Sequence, residues 1–235
     1  MSVGSPISPA ARQRVRALAV PVATALGRLG LTPNALTVIG FIGTCGAAVA
    51  AAVQAWILAG VLVAVFGIFD MFDGALARAT GRVSKFGAFL DSTLDRTGEN
   101  LVLAGVAVGC AGAGFFGGVL LAVLAMAFAS VVTYARAKAE VIGLQGEVGV
   151  APRPERLAIL AAGLILSGMV GGLYTAMQRD CANVSGQCDV PAQLNWSIGA
   201  VTLSSALFLI ALLSAITLVQ RILHVHRQLE QQEKQ

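Results

Sequence analysis

Charge is what this sequence has least of. Only 12% of its 235 residues are Asp, Glu, Lys or Arg, against about 25% in an ordinary soluble domain. A chain so poor in charge cannot clothe itself for water, which excludes a soluble globule. Histidine occurs twice and cysteine four times, and neither stands beside a group of acids, which excludes a thiolate or imidazole zinc centre. His224 and His226 read as interfacial side chains, and Cys45 and Cys110 as packed thiols within apolar runs. No secretory signal is expected at the polar start, Met1 to Pro9. There is also no 20–50-residue repeat, and nothing calls for a nucleic-acid partner.

What the chain has instead is apolar length. Hydrophobic residues make up 57% and the mean hydropathy is +0.80, as expected of an integral membrane protein. At about 20 residues per crossing, the polar gaps divide it into six transmembrane helices. These are expected at about 34–53, 56–78, 85–112, 119–142, 154–177 and 196–223. An amphipathic interfacial helix over residues 9–30 precedes them, with arginines on one side. The expected architecture is thus one all-α membrane domain over 1–235.

The basic residues are distributed unevenly. Arg12, Arg14, Arg16 and Arg28 precede the first span, and Arg78, Arg82 and Lys85 follow the second. Arg136, Lys138, Arg153 and Arg156 lie between the fourth and fifth, Arg221, Arg227 and Lys234 close the chain, and Arg179 alone falls on the other side. The positive-inside rule then makes both termini and the even-numbered loops cytoplasmic, in a cell membrane.

The few acids are concentrated. Asp70, Asp73, Gly74, Ala77, Arg78, Gly87, Asp91 and Asp95 spell D-x2-D-G-x2-A-R-x8-G-x3-D-x3-D across the second and third apolar segments. Asp70 and Asp73 share one helix face, as do Asp91 and Asp95, and a short antiparallel turn should bring the pairs to similar depth. Carboxylates in hydrocarbon are costly and mark function. Clustered without Cys or His, they are hard-oxygen ligands for Mg²⁺ or Mn²⁺. Two such ions would balance four negative charges and suit displacement at phosphorus. Gly74 leaves room for a ligand, and Arg78 can fork onto phosphate oxygens. Residues alone leave two other readings open: aspartates paired structurally with Arg78, Arg82 and Arg96, and the path of an ion-coupled transporter.

The motif resembles the signature of the CDP-alcohol phosphotransferases, membrane enzymes that join a CDP-linked lipid to an alcohol and release CMP. The resemblance implies that Asp70, Asp73, Asp91 and Asp95 bind two Mg²⁺ (or Mn²⁺) ions and that Asp95 is the general base. It implies that Asp70, Asp73, Gly74, Arg78 and Ser84, with Thr32, Pro33 and Asn34, border the CDP-diacylglycerol donor. It also implies a homodimer. Tyr134-Ala-Arg136-Ala-Lys138-Ala-Glu140, Arg153-Pro-Glu-Arg156-Leu and Val219-Gln-Arg221 are similar to runs in prokaryotic phosphatidylinositol-phosphate synthases, with the order of Arg136 and Lys138 reversed relative to several of them. That similarity implies inositol 1-phosphate as acceptor, a phosphorylated polyol held by Arg136, Lys138, Arg153, Arg156 and Arg221. Archaetidylinositol-phosphate and phosphatidylglycerophosphate synthases are the neighbouring alternatives. Finally, Cys181 and Cys188 are close enough in an expected outer loop to form a disulfide.

Overall fold

The computed structural model describes residues 25, 27, 30–146, 148–173 and 197–232, without the side chains of Asp70 and Met71. The pair Cys181 and Cys188 lies outside these residues, as does nearly all of the expected interfacial helix. Among the described residues six helices form: α1 (Pro33–Ala52), α2 (Trp56–Ala79), α3 (Lys85–Gly112), α4 (Phe116–Val141), α5 (Arg153–Met169) and α6 (Ile198–Gln232). Their starts follow local chemistry. Thr32 caps α1 by accepting from the Ala35 amide at 3.2 Å, with Pro33 at the first helical position. Ser84 caps α3 by accepting from the Gly87 amide at 2.9 Å.

Six membrane spans were expected, and the structure corrects that number to four. Among the described residues α1, α2, α4 and α6 are long and apolar enough to cross a membrane; α3 and α5 are not. Lys85, Asp91, Asp95, Arg96 and Glu99 occupy the first half of α3, so its apolar part runs only from Leu101 to Gly112. A run of about 10–14 apolar residues is characteristic of a buried core helix. In α5, 17 residues open with Arg153, Glu155 and Arg156. They extend about 25 Å at 1.5 Å per residue, short of a hydrocarbon layer about 30 Å thick. The expected fifth segment reached residue 177, but α5 stops at Met169, capped by Val170. Hydropathy counts a helix shielded by its neighbours and a helix facing lipid alike, which is why the count was too high.

The six helices close into a ring. The chain packs α1 on α2 and α3, α2 on α5, α3 on α4, and α6 on both α4 and α5. Ala47, Ala51, Val102, Leu103, Val106, Leu160, Leu164, Leu203 and Leu207 fill its middle. Close approach of α1 and α3 depends on glycine: a Cβ on Gly105 or Gly109 would sit 2.2 Å from the carbonyl oxygen of Ala48 or Ala51. Outward-facing Ile42, Val49, Leu58, Leu120 and Phe208 are exposed, as suits helices solvated by lipid.

The connection from α4 to α5 is strapped onto α6. Arg221 Nε donates to the Val148 carbonyl at 2.9 Å, the Ala151 amide donates to Thr217 Oγ1 at 3.3 Å, and Gln145 and Gln228 exchange two hydrogen bonds. This strap delivers Arg153 to its place.

Candidate functional site

Asp73 is 5% exposed, and a buried carboxylate requires donors. Thr37, one turn into α1, supplies its hydroxyl to Asp73 Oδ2 at 2.6 Å, and the Gly74 amide donates to Oδ1. The second helical turn of α1 thus orients the acid of α2. Asp70 lies one turn earlier on the same helix, and its side chain is outside the described set.

A cavity of about 340 Å³ opens beside Asp73, lined by Pro33, Asn34, Gly74, Arg78, Ser84 and Asp91 among others. Pro33, Asn34, Asp73, Gly74, Arg78 and Ser84, all expected at the CDP-lipid site, therefore share one space with Asp91, another of the expected metal ligands. Thr32, which caps the helix at its rim, is not in the lining. Gly87, a fixed letter of the motif, has a structural reason: a Cβ there would lie 3.0 Å from Asn34 Oδ1 and from Ser84 Oγ. Its absence lets the first turn of α3 abut α1.

Asp73 also borders a second, smaller cavity of about 30 Å³, which Thr37, Asp95, Glu99 and Arg153 line with it. It has room for a water or two. Asp95 lines this smaller cavity rather than the larger one, and its Oδ2 is 2.5 Å from Arg153 Nη1. Arg153 Nη2 also donates to the Asp95 carbonyl at 3.3 Å.

Of the expected acceptor residues, Arg153 stands against Asp95. Arg156 is 3% exposed, forked onto Glu99 at 2.8 and 2.9 Å, and donates to the Ala151 carbonyl at 3.1 Å. Arg221, also buried, donates to the carbonyls of Val148 and Val132. Arg136 pairs with Glu140 one turn away at 2.8 Å, and Lys138 lies 5.9 Å from the Tyr134 ring centroid. Sequence reasoning passed over Thr37 and Glu99. Thr37 had a faint signal, a hydroxyl one turn after the Thr32 cap. Glu99 had a better one, an acid one turn past Asp95 in the same helix.

Among the described residues no three of Asp, Glu, His or Cys are grouped to hold a metal ion. The donors facing the larger cavity are nonetheless of one kind. Asp73 and Asp91 present carboxylate oxygen with no sulfur or imidazole nearby, and Asp70 is one turn from Asp73. This donor chemistry fits a hard divalent cation.

Comparison with known proteins gives concordant results. A family model described as CDP-alcohol phosphatidyltransferase matches residues 30–226. The archaetidylinositol phosphate synthase of Pyrococcus horikoshii is 34% identical over 223 residues, covering 93% of this chain and 96% of the relative. The phosphatidylinositol phosphate synthase of Cutibacterium acnes is 37% identical over 214 residues, 89% and 93% of the two chains. The crystal structure of Mycobacterium tuberculosis phosphatidylinositol phosphate synthase with CDP-DAG bound superposes with a TM-score of 0.69 at 29% identity, covering 88% of this chain and 92% of that one. The same enzyme in complex with manganese and citrate gives 0.68 at 30% identity, covering 88% of each.

Proposed function

The chain belongs to the CDP-alcohol phosphatidyltransferase family, and on that premise we propose that it transfers the phosphatidyl group of CDP-diacylglycerol to inositol 1-phosphate, releasing CMP. At family level the reaction is transfer from CDP-diacylglycerol to a polyol phosphate. The observation that carries the finer reading is Arg153 held against Asp95 at the smaller cavity, which shares Asp73 with the signature cavity. A guanidinium there suits an acceptor that brings its own phosphate. The bacterial and archaeal relatives support the acceptor further, since their names differ in the lipid and share inositol phosphate.

In this reading the donor's CDP group occupies the larger cavity. Arg78 contacts its phosphates, Gly74 keeps the wall low, and Thr32, Pro33, Asn34 and Ser84 border the nucleotide. Asp70, Asp73 and Asp91, with Asp95 contributing, would hold divalent cations, Mg²⁺ or the manganese named for the tuberculosis enzyme. Bound there, such cations would supply positive charge that neutralises the donor's pyrophosphate and stabilises the departing CMP. Thr37 keeps Asp73 turned toward the cavity.

Asp95 accepts the acceptor's hydroxyl proton as its oxygen attacks the phosphorus bearing the lipid. A new P–O bond forms, the bond to CMP breaks, and the proton stays on the Asp95 carboxyl until solvent removes it. The ion pair with Arg153 keeps Asp95 ionised while it waits. An incoming phosphate competes for the same guanidinium, so arrival of the correct acceptor frees the base. In the same reading Arg136, Lys138, Arg156 and Arg221 would add positive charge for the acceptor's phosphate. A site on the cytoplasmic face of the cell membrane, one membrane domain and a homodimer complete the proposal; the charge distribution supports the first of these.

The test is turnover by purified protein given CDP-diacylglycerol and Mg²⁺ with inositol 1-phosphate, free inositol or glycerol 3-phosphate. We expect CMP and a lipid product with inositol 1-phosphate. Product with glycerol 3-phosphate alone would overturn the acceptor assignment, and strong preference for an ether-linked donor would move the protein toward its archaeal relatives.

A further inference from the structure

We infer that Glu99, an acid outside the signature, is a positioning residue for the phosphorylated acceptor and acts through Arg153. The inference rests on the proposed role of Arg153. Glu99 is 4% exposed and lies one helical turn beyond Asp95, so the two acids share a face of α3. That face looks across the ring to the start of α5. Helices α3 and α5 do not pack closely on one another, so side chains span the gap. Glu99 Oε1 and Oε2 accept from Arg156 Nε and Nη2 at 2.8 and 2.9 Å. Oε2 also lies 4.0 Å from Arg153 Nε, while Arg153 Nη1 is 2.5 Å from Asp95 Oδ2. The charges alternate in one ladder: Asp95, Arg153, Glu99, Arg156.

A purely structural pair would need only Glu99 and Arg156. The contact to Arg153 adds a second effect. Arg153 must loosen from Asp95 before that carboxylate can take a proton, and a long side chain released without an anchor regains its rotamer freedom. Glu99 faces the Nε edge of the rigid guanidinium fork as an ion-pair partner at 4.0 Å, and steadies it while the Nη edge is exchanged from Asp95 to phosphate. It also divides the cation between two carboxylates, which weakens the hold on Asp95. Without Glu99, Arg153 closes fully on Asp95 and the acceptor must displace a stronger pair.

The experiment compares wild type, Glu99→Gln, Arg156→Met and the double variant Glu99→Leu/Arg156→Met. It measures thermal midpoint in detergent, KM for inositol 1-phosphate and for CDP-diacylglycerol, and calorimetric binding of inositol 1-phosphate. Each single variant leaves a buried charge uncompensated and lowers the midpoint; removing both partners restores it. Losing this ion-pair contact should raise the acceptor KM and Kd about 3- to 10-fold in Glu99→Gln and in the double variant, leaving the donor KM within about twofold. Arg156→Met should raise the acceptor KM less than the double variant does, so stability and acceptor affinity move in opposite directions between those two. A double variant that binds the acceptor like wild type overturns the inference alone. Should the double variant not fold, equal acceptor KM in Glu99→Gln and Arg156→Met overturns it. Wild-type protein with no affinity for a phosphorylated polyol overturns the reading of Arg153 itself.

Discussion

Asp95 and Thr37 show how much chemistry rests on single atoms. Asp95 is held by Arg153 at 2.5 Å, and its proposed work is proton removal. Asp95→Asn keeps the shape and loses the base, so CMP release should fall about 10²- to 10⁴-fold with helical circular dichroism unchanged. Full activity in that variant would refute the assignment. Thr37 donates at 2.6 Å to Asp73 and by that contact orients a proposed metal ligand. Outer-shell partners of this kind are typically worth 10- to 100-fold in metal affinity. Thr37→Val should therefore raise the Mg²⁺ concentration for half-maximal rate about tenfold, and Thr37→Ser should restore it; a Mg²⁺ titration of the rate decides. The motif made the aspartates and Arg78 legible. Thr37 and Glu99 were not, because their partners lie 36 and 57 residues away in sequence.

At the scale of helices, glycine and charge set what can meet. Gly109 presses on the Ala51 carbonyl, whereas a Cβ on Gly40 of the same α1–α3 neighbourhood would meet nothing within 4 Å. Gly109→Val should lower the thermal midpoint in detergent, since overpacking costs about 1–3 kcal/mol. Gly40→Ala should hold or raise it, because alanine is the better helix former by about 1 kcal/mol. The same midpoint shift for both would mean that approach distance is not what these glycines provide. Helix ends were readable from Thr32-Pro33 and Ser84, whose caps are local. The standing of α3 and α5 was not, because hydropathy does not reveal which faces neighbouring helices cover. Their charged first halves point across the ring toward each other, where Asp95 and Glu99 meet Arg153 and Arg156.

For the whole molecule, the ring decides which charges share a space. Among the described residues four helices meet the demands of a membrane crossing, and the two charged helices bring the acids and arginines together inside the ring. The fold stands on apolar packing and interhelical contacts, so metal should be needed for turnover and not for architecture. Chelation with EDTA is expected to abolish CMP release, leave helical circular dichroism unchanged, and be reversed by Mg²⁺ or Mn²⁺. Retained turnover after exhaustive chelation would exclude the divalent-cation mechanism.

The sequence by itself determined the all-helical membrane character, the capped helix starts, and the acidic motif with its family. Each of these follows from composition or from residues a few positions apart. Only the tertiary structure decided that four helices qualify as spans and that Asp73 divides two cavities. It also decided that Arg156 is bound to Glu99, whereas Arg153 lies against Asp95. The reason is physical: burial and ion pairing depend on which side chains meet across the ring, and five like-charged residues in a sequence carry no record of which of them will find a carboxylate.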